Sequence, residues 1–118
     1  MEQQFAYKII TVEEWKTLCE NECFNGTELD KRDGFIHMTA NLIQTEQVRN
    51  KYYKNKPIIL LKLNFQNILQ NVKMEEAKNG DVYPHLYGQM IRHENIDEFH
   101  TISANDDVIA FFQKKQIE

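Results

Sequence analysis

Two short segments hold the side chains best suited to chemistry. Gly34-Phe35-Ile36-His37-Met38-Thr39 and Tyr83-Pro84-His85-Leu86-Tyr87-Gly88 each set one imidazole among aromatic residues, punctuated by Gly or Pro. A histidine in an apolar strand must satisfy two ring nitrogens, so it bonds to its neighbours or faces a pocket. An imidazole exchanges protons near neutrality, and a pair lining one hollow suits acid–base work. A shared site and two satisfied core histidines are equally compatible with these residues. Glu75 and Glu76 follow a strand-like segment ten residues before His85. A hairpin there brings one of them beside His85, as a base, as an orienting group for a ribose hydroxyl, or as plain surface charge.

Other candidates are weaker. Arg49, Lys51, Lys54 and Lys56 surround Tyr52 and Tyr53, a grouping that could hold a phosphate beside a stacking ring. The helix macrodipole also favours cations near a helix C-terminus without any ligand. Asp30-Lys31-Arg32-Asp33 reads as a solvated turn, with Arg32 near enough to the His37 strand to touch an anion. No metal is expected: His93 and His100 lie on less distinctive segments, and neither HxH nor HExxH occurs. Cys19 and Cys23 alone cannot complete a zinc site and read as reduced thiols. The single serine, Ser103, resembles a helix cap rather than a nucleophile, and phosphate-cradling glycine loops are missing.

These residues need a scaffold, and composition supplies one. The chain has 118 residues, 42% hydrophobic and 27% charged, with a net charge of −4. It reads as one domain spanning 1–118, able to bury roughly two thirds of its unfolded surface. The acidic balance argues against a duplex nucleic-acid partner. Apolar runs such as Ile58-Ile59-Leu60-Leu61 are far short of the roughly 20 residues that span a bilayer. Met1-Glu2-Gln3-Gln4 lacks a secretory start, so a cytoplasmic location is expected.

Phe5–Ile10 alternates as a first strand. Thr11 and Glu14 form a capping box, and Val12, Trp15, Leu18 and Cys19 give the following helix its apolar stripe, with Asn25-Gly26 as its stop. A strand over Gly34–Thr39 precedes a helix from Thr39 or Asn41 to about Lys54. Ile58–Phe65 is apolar on both faces and reads as a central strand. Val72–Glu76, Gln89–His93 and Ile96–Ile102 are further strands, and a last helix starts near Ser103. The expected class is α+β, with a strongly bent, mostly antiparallel sheet.

Tyr7-Lys8-Ile9, Trp15, Leu29, Asp33-Gly34-Phe35-Ile36-His37, Ile59–Leu63, Glu76 and Tyr83–Gly88 occur in an order that resembles the family called domain of unknown function 952, over residues 5–100. The resemblance implies an ADP-ribosyltransferase-like fold, a split, bent sheet with flanking helices around a dinucleotide cleft. In its polymerase-like branch a strand carries His-x-Ser/Thr, whose histidine bonds a ribose hydroxyl and whose hydroxyl holds the nicotinamide amide. His37-Met38-Thr39 fits, with Met38 where glycine is usual. Tyr52, Tyr53 or Tyr87 would stack on nicotinamide, and Glu76, or behind it Glu94, would be the motif glutamate. Members usually carry a glutamine shortly after the histidine segment, and this sequence departs from that pattern, with Gln44 and Gln47 both slightly out of step.

The leading expectation is thus an enzyme that binds or cleaves NAD or a related nucleotide. His37, His85 and Glu76 would be its catalytic set. His37, Thr39, Tyr53, Tyr87 and Arg32 would hold the cofactor. The alternatives are a non-catalytic nucleotide or anion module and a purely structural role for both histidine segments. A carboxylate within reach of His37 separates the first from the others.

Overall fold

The computed structural model describes residues 5–117; Met1–Gln4, on which the expectation about a secretory start rests, lie outside them. Its elements are β1 (Phe5–Ile10), α1 (Val12–Asn21), β2 (Cys23–Phe24), α2 (Glu28–Asp33), β3 (Ile36–His37), α3 (Leu42–Tyr52) and β4 (Ile58–Asn64). A 3-10 turn (Leu69–Asn71) follows, then β5 (Val72–Glu76), β6 (Val82–Leu86), β7 (Met90–Ile91), α4 (Arg92–Asn95), β8 (Ile96–Ile102) and α5 (Val108–Ile117). Among the described residues, no helix is long and apolar enough to cross a membrane.

The strands form three sheets, ordered β1-β4-β8, β2-β7 and β3-β6-β5, and every pairing is antiparallel. One bridge joins the first and third sheets: Tyr7 and Thr39 exchange both backbone hydrogen bonds at 2.8 Å. The α+β class with split antiparallel β-structure is therefore the observed one.

β4 explains how one strand organises the whole molecule. Its side chains alternate between two faces. Ile59, Leu61 and Leu63 enter one core with Ala6, Leu18, Ile36, Phe65, Leu86 and Met90. Ile58 and Leu60 enter a second core with Ile9, Ile102 and Val108, roofed by α3 and α5. A strand with cores on both sides has to be apolar on both sides, which is the pattern its sequence carries. Burying each such Ile or Leu stabilises the fold by about 1.5–3 kcal/mol.

α1 begins as its sequence predicts: Glu14 N–H donates to Thr11 Oγ1 at 3.1 Å and Thr11 N–H donates to Glu14 Oε1 at 2.8 Å. It ends earlier than expected. Glu22, at φ 62°, is the left-handed cap, donating its N–H to the Leu18 carbonyl at 2.8 Å. Gly26 instead serves the turn into α2. At φ +115°, a Cβ there would sit 2.7 Å from the Asp30 Cβ. Gly26→Ala is expected to cost about 1–3 kcal/mol, from the backbone conformation and the clash together. Urea denaturation measures it, and a loss within error would show that the turn relaxes freely.

Other elements differ from expectation, among them β3, which keeps only Ile36–His37 of the strand expected over Gly34–Thr39 because Gly34 caps α2. Gln89–His93 yields only the two-residue β7 before one helical turn, because buried Asn95 accepts the Ile91 N–H through its side-chain Oδ1 at 2.8 Å. α5 starts at Val108 rather than near Ser103. The carbonyls of Ser103 and Asp106 are bound by Arg49, and Asp107 Oδ1 accepts the Ala110 N–H at 2.6 Å as the helix cap.

Candidate functional site

The antiparallel pairing of β3 with β6 sets His37 directly opposite His85, and β5 adds Lys73 opposite His85 on the other side. Side chains at paired positions share a face, so the two imidazole segments meet by register. The His37 and His85 ring centres are 5.5 Å apart and nearly edge-to-face. Phe35 lies against both, 4.6 Å from His37 and 4.1 Å from His85, and 5.2 Å from Tyr87. Lys73 Nζ stands 4.8 Å from the Tyr87 ring centre. The patch is open to solvent: the His37 side chain is 31% exposed and that of His85 14%.

Each imidazole is backed by a carboxylate. His37 Nδ1 lies 2.6 Å from Asp30 Oδ1, and its Nε2 lies 3.0 Å from Asp33 Oδ2. Asp30 is 2% exposed and meets buried Lys8, whose Nζ is 2.9 Å from Oδ2. Burial alone would raise the Asp30 carboxyl; the His37 ring, the Lys8 ammonium and the Thr27 amide outweigh it and hold it well below the usual carboxylate range. Burial pushes the Lys8 ammonium down, and Asp30 opposes that push. On the other strand, His85 Nδ1 lies 2.8 Å from Glu75 Oε1, and the Tyr87 hydroxyl donates to the same oxygen at 2.6 Å. The Tyr87 and His85 hydrogen bonds lower the Glu75 carboxyl, and Glu75 in turn raises the Tyr87 hydroxyl.

Of the residues expected from sequence, His37, His85 and Tyr87 come together. The adjacent carboxylate is Glu75, not Glu76. Glu76 is opposite Val82 and one residue out of phase, so strand alternation turns it to the other face. Glu94 is exposed on α4. Thr39 is buried at the seam between sheets, its hydroxyl 2.5 Å from Thr45 Oγ1 and 3.3 Å from the Tyr7 carbonyl. Tyr53 caps α3 and packs against the second core, where burial pushes its hydroxyl up to about 12. Tyr52 is exposed beneath Lys51. Arg32 points to solvent and meets Asp33 at 3.3 Å. Met38 faces the main core, away from the rings.

The basic cluster and the polar turn both prove to be different things. Arg49 is 2% exposed and donates to four backbone carbonyls, so it is an internal brace rather than a ligand contact. Asp30–Asp33 is the C-terminal part of α2 rather than a turn, with Lys31, Arg32 and Asp33 exposed as expected but Asp30 buried. Its missed sequence signature is Thr27-x-x-Asp30, a capping box with Asp at the third position. Gln44 ties α3 to the site hairpin, accepting from Ala40 N–H at 2.8 Å and donating to the Val82 carbonyl at 3.0 Å. Among the described residues, no three His, Cys, Asp or Glu side chains form a group able to hold a metal. His93 pairs with Glu22 and His100 with Glu98. A cavity of about 200 Å³ opens elsewhere, between the first sheet and α3 and α5, bordered by Tyr7, Leu60, Lys62, Glu98, His100 and Phe112. None of the ring-patch residues borders it.

Residues 9–98 match a family described as "Protein of unknown function (DUF952)". Solved structures of protein CC0527 from Caulobacter crescentus are similar to this chain. The X-ray crystal structure is 26% identical with a TM-score of 0.79, covering 88% of this chain and 90% of that one. The solution NMR structure is 24% identical with a TM-score of 0.77, covering 97% and 98%. No curated protein matches the sequence.

Proposed function

The chain belongs to the family described as "Protein of unknown function (DUF952)", and from that premise we propose that its ring-lined patch binds, and turns over, NAD or a related N-ribosyl nucleotide in the manner of an ADP-ribosyltransferase-like protein. One observation carries this reading: Phe35, His37, His85 and Tyr87 gather on one open face with the Glu75 carboxylate among them. Aromatic faces suit a planar base, and imidazole nitrogens suit ribose hydroxyls. Breaking a ribosyl–nitrogen bond develops positive charge on the sugar, and an ionised carboxylate beside it lowers that barrier. Glu75 fills the glutamate's part in this scheme. Its engagement by both Tyr87 and His85 favours a second reading, binding without turnover, in which the carboxylate only orients the rings.

Thermal shift with NAD, NADP and ADP-ribose, together with an assay for nicotinamide release, tests both. NAD is expected to raise the melting temperature of the native protein and not of His37→Ala, which should itself stay folded because His37 is at the solvent edge. Release is expected to fall at least about 100-fold in Glu75→Gln, the range seen when one preorganised electrostatic group is lost. A shift without release selects the binding module. Silence toward all three compounds removes the nucleotide reading.

A further inference from the structure

We propose that Asp30 is a positioning residue of the imidazole patch: it fixes the His37 ring with its proton on Nδ1, which makes Nε2 the nitrogen offered to a ligand. This rests on the functional reading above only in taking the two imidazoles as the working groups.

The argument is an accounting of donors. Asp30 Oδ1 receives the His37 backbone N–H at 3.1 Å, lies 2.6 Å from His37 Nδ1, and is 3.2 Å from Lys8 Nζ. Oδ2 receives the Thr27 N–H at 2.9 Å and lies 2.9 Å from the same ammonium. Amide and ammonium groups can only donate, and an ionised carboxylate can only accept. A protonated Asp30 would aim its own hydroxyl at one of these donors, so the group is an acceptor throughout. His37 Nδ1 must then carry the hydrogen of the short contact. His85 has the same arrangement, with Nδ1 against Glu75 and no hydrogen-bond partner for Nε2 among the described residues. Both rings, on adjacent strands, therefore set Nδ1 against a carboxylate and direct Nε2 away from it.

The charged groups facing His37 come from every neighbouring element. They are Lys8 on β1, Asp30 and Asp33 on α2, and His85 on β6, with Glu75 and Lys73 on β5 behind it. Among the described residues, only Asp33 meets Nε2. That contact needs a second ring N–H, so it is made by the doubly protonated ring and opens when Nε2 serves as an acceptor. Asp33 is exposed at the end of α2, next to Gly34 at φ 86°, and can yield to a ligand hydroxyl. Asp30 cannot, because five contacts hold it.

Long-range proton–nitrogen NMR of the ligand-free protein reads the ring state directly. In solution alkaline enough that the native His37 ring shows a single hydrogen, that hydrogen is expected on Nδ1, leaving Nε2 bare. A singly protonated native ring with its hydrogen on Nε2 overturns the proposal whatever any variant does. Asp30→Asn is expected to populate both tautomers of His37 and leave His85 unchanged, whereas Asp33→Asn should leave the His37 tautomer alone. An unaltered His37 spectrum in a folded Asp30→Asn would also overturn it. Because no ligand is added, failure of NAD to bind would defeat the functional reading while this measurement still decides the role of Asp30.

Discussion

Arg49→Ala is expected to lower the unfolding free energy by about 3–5 kcal/mol, the range for breaking a buried charged network. The guanidinium donates through Nε to the Tyr53 carbonyl at 3.1 Å and through Nη1 to Asp106 at 2.8 Å. Through Nη2 it reaches Lys56 at 2.6 Å and Ser103 at 3.0 Å. Those acceptors come from the end of α3, the loop into β4 and the loop between β8 and α5. One planar fork thus ties three passages of chain outside regular structure, where the Tyr53 and Ser103 carbonyls also accept the Lys56 and Asp106 N–H at 3.2 Å. Each carbonyl left unsatisfied costs about 1–3 kcal/mol if it stays buried. Water will reach some of them, and the losses do not add. Lysine offers one point of donation in place of the fork, so Arg49→Lys should recover less than half of the loss. Urea denaturation of the three proteins checks this. A drop below about 1 kcal/mol for Arg49→Ala would mean that the loops hold themselves.

Arg49 also shows where the sequence was legible and where it was not. Periodicity exposes what repeats: the β4 run, the α1 stripe, its Thr11–Glu14 box and the β5 and β8 strands all follow from local spacing. The meeting of His37 with His85 was likewise within reach, because two imidazoles in apolar, Gly- and Pro-marked strands need partners. The expected charge of Arg49 gives no hint of its depth. Burial of a cation depends on which distant carbonyls gather around it, and those lie up to 57 residues away. The same blindness covered Lys8 and Asp30. In sequence Lys8 is one polar residue of an alternating strand, and Asp30 belongs to a polar run. Their pairing exists because β1 and α2 pack together. The choice between Glu75 and Glu76 turned on strand phase, which becomes fixed only once β5 is registered against β6.

That hidden pair carries the second large effect. Lys8→Met is expected to destabilise the protein at neutral pH by about 3 kcal/mol, the low end for removing one partner of a buried ion pair. The end is low because Asp30 keeps three donors, the Thr27 and His37 amides and the His37 ring. The pH dependence gives the diagnosis. Asp30 titrates below its ordinary value in the fold, so the unfolded chain takes up its proton first as acid is added. The stabilisation from this carboxylate is complete above its unfolded value near 4 and is lost as pH falls from there toward the depressed folded value. Without Lys8 the carboxyl is held down less strongly. The variant should therefore unfold at a higher pH than the native protein on acid titration, and the gap between the two should narrow once Asp30 is protonated in both. Circular dichroism along a pH series, with urea curves at neutral and acid ends, measures both features. A gap of constant size from neutral to strongly acid solution would assign the loss to the missing lysine stem. The ion pair would then not be what anchors α2, and with it His37, to the first strand.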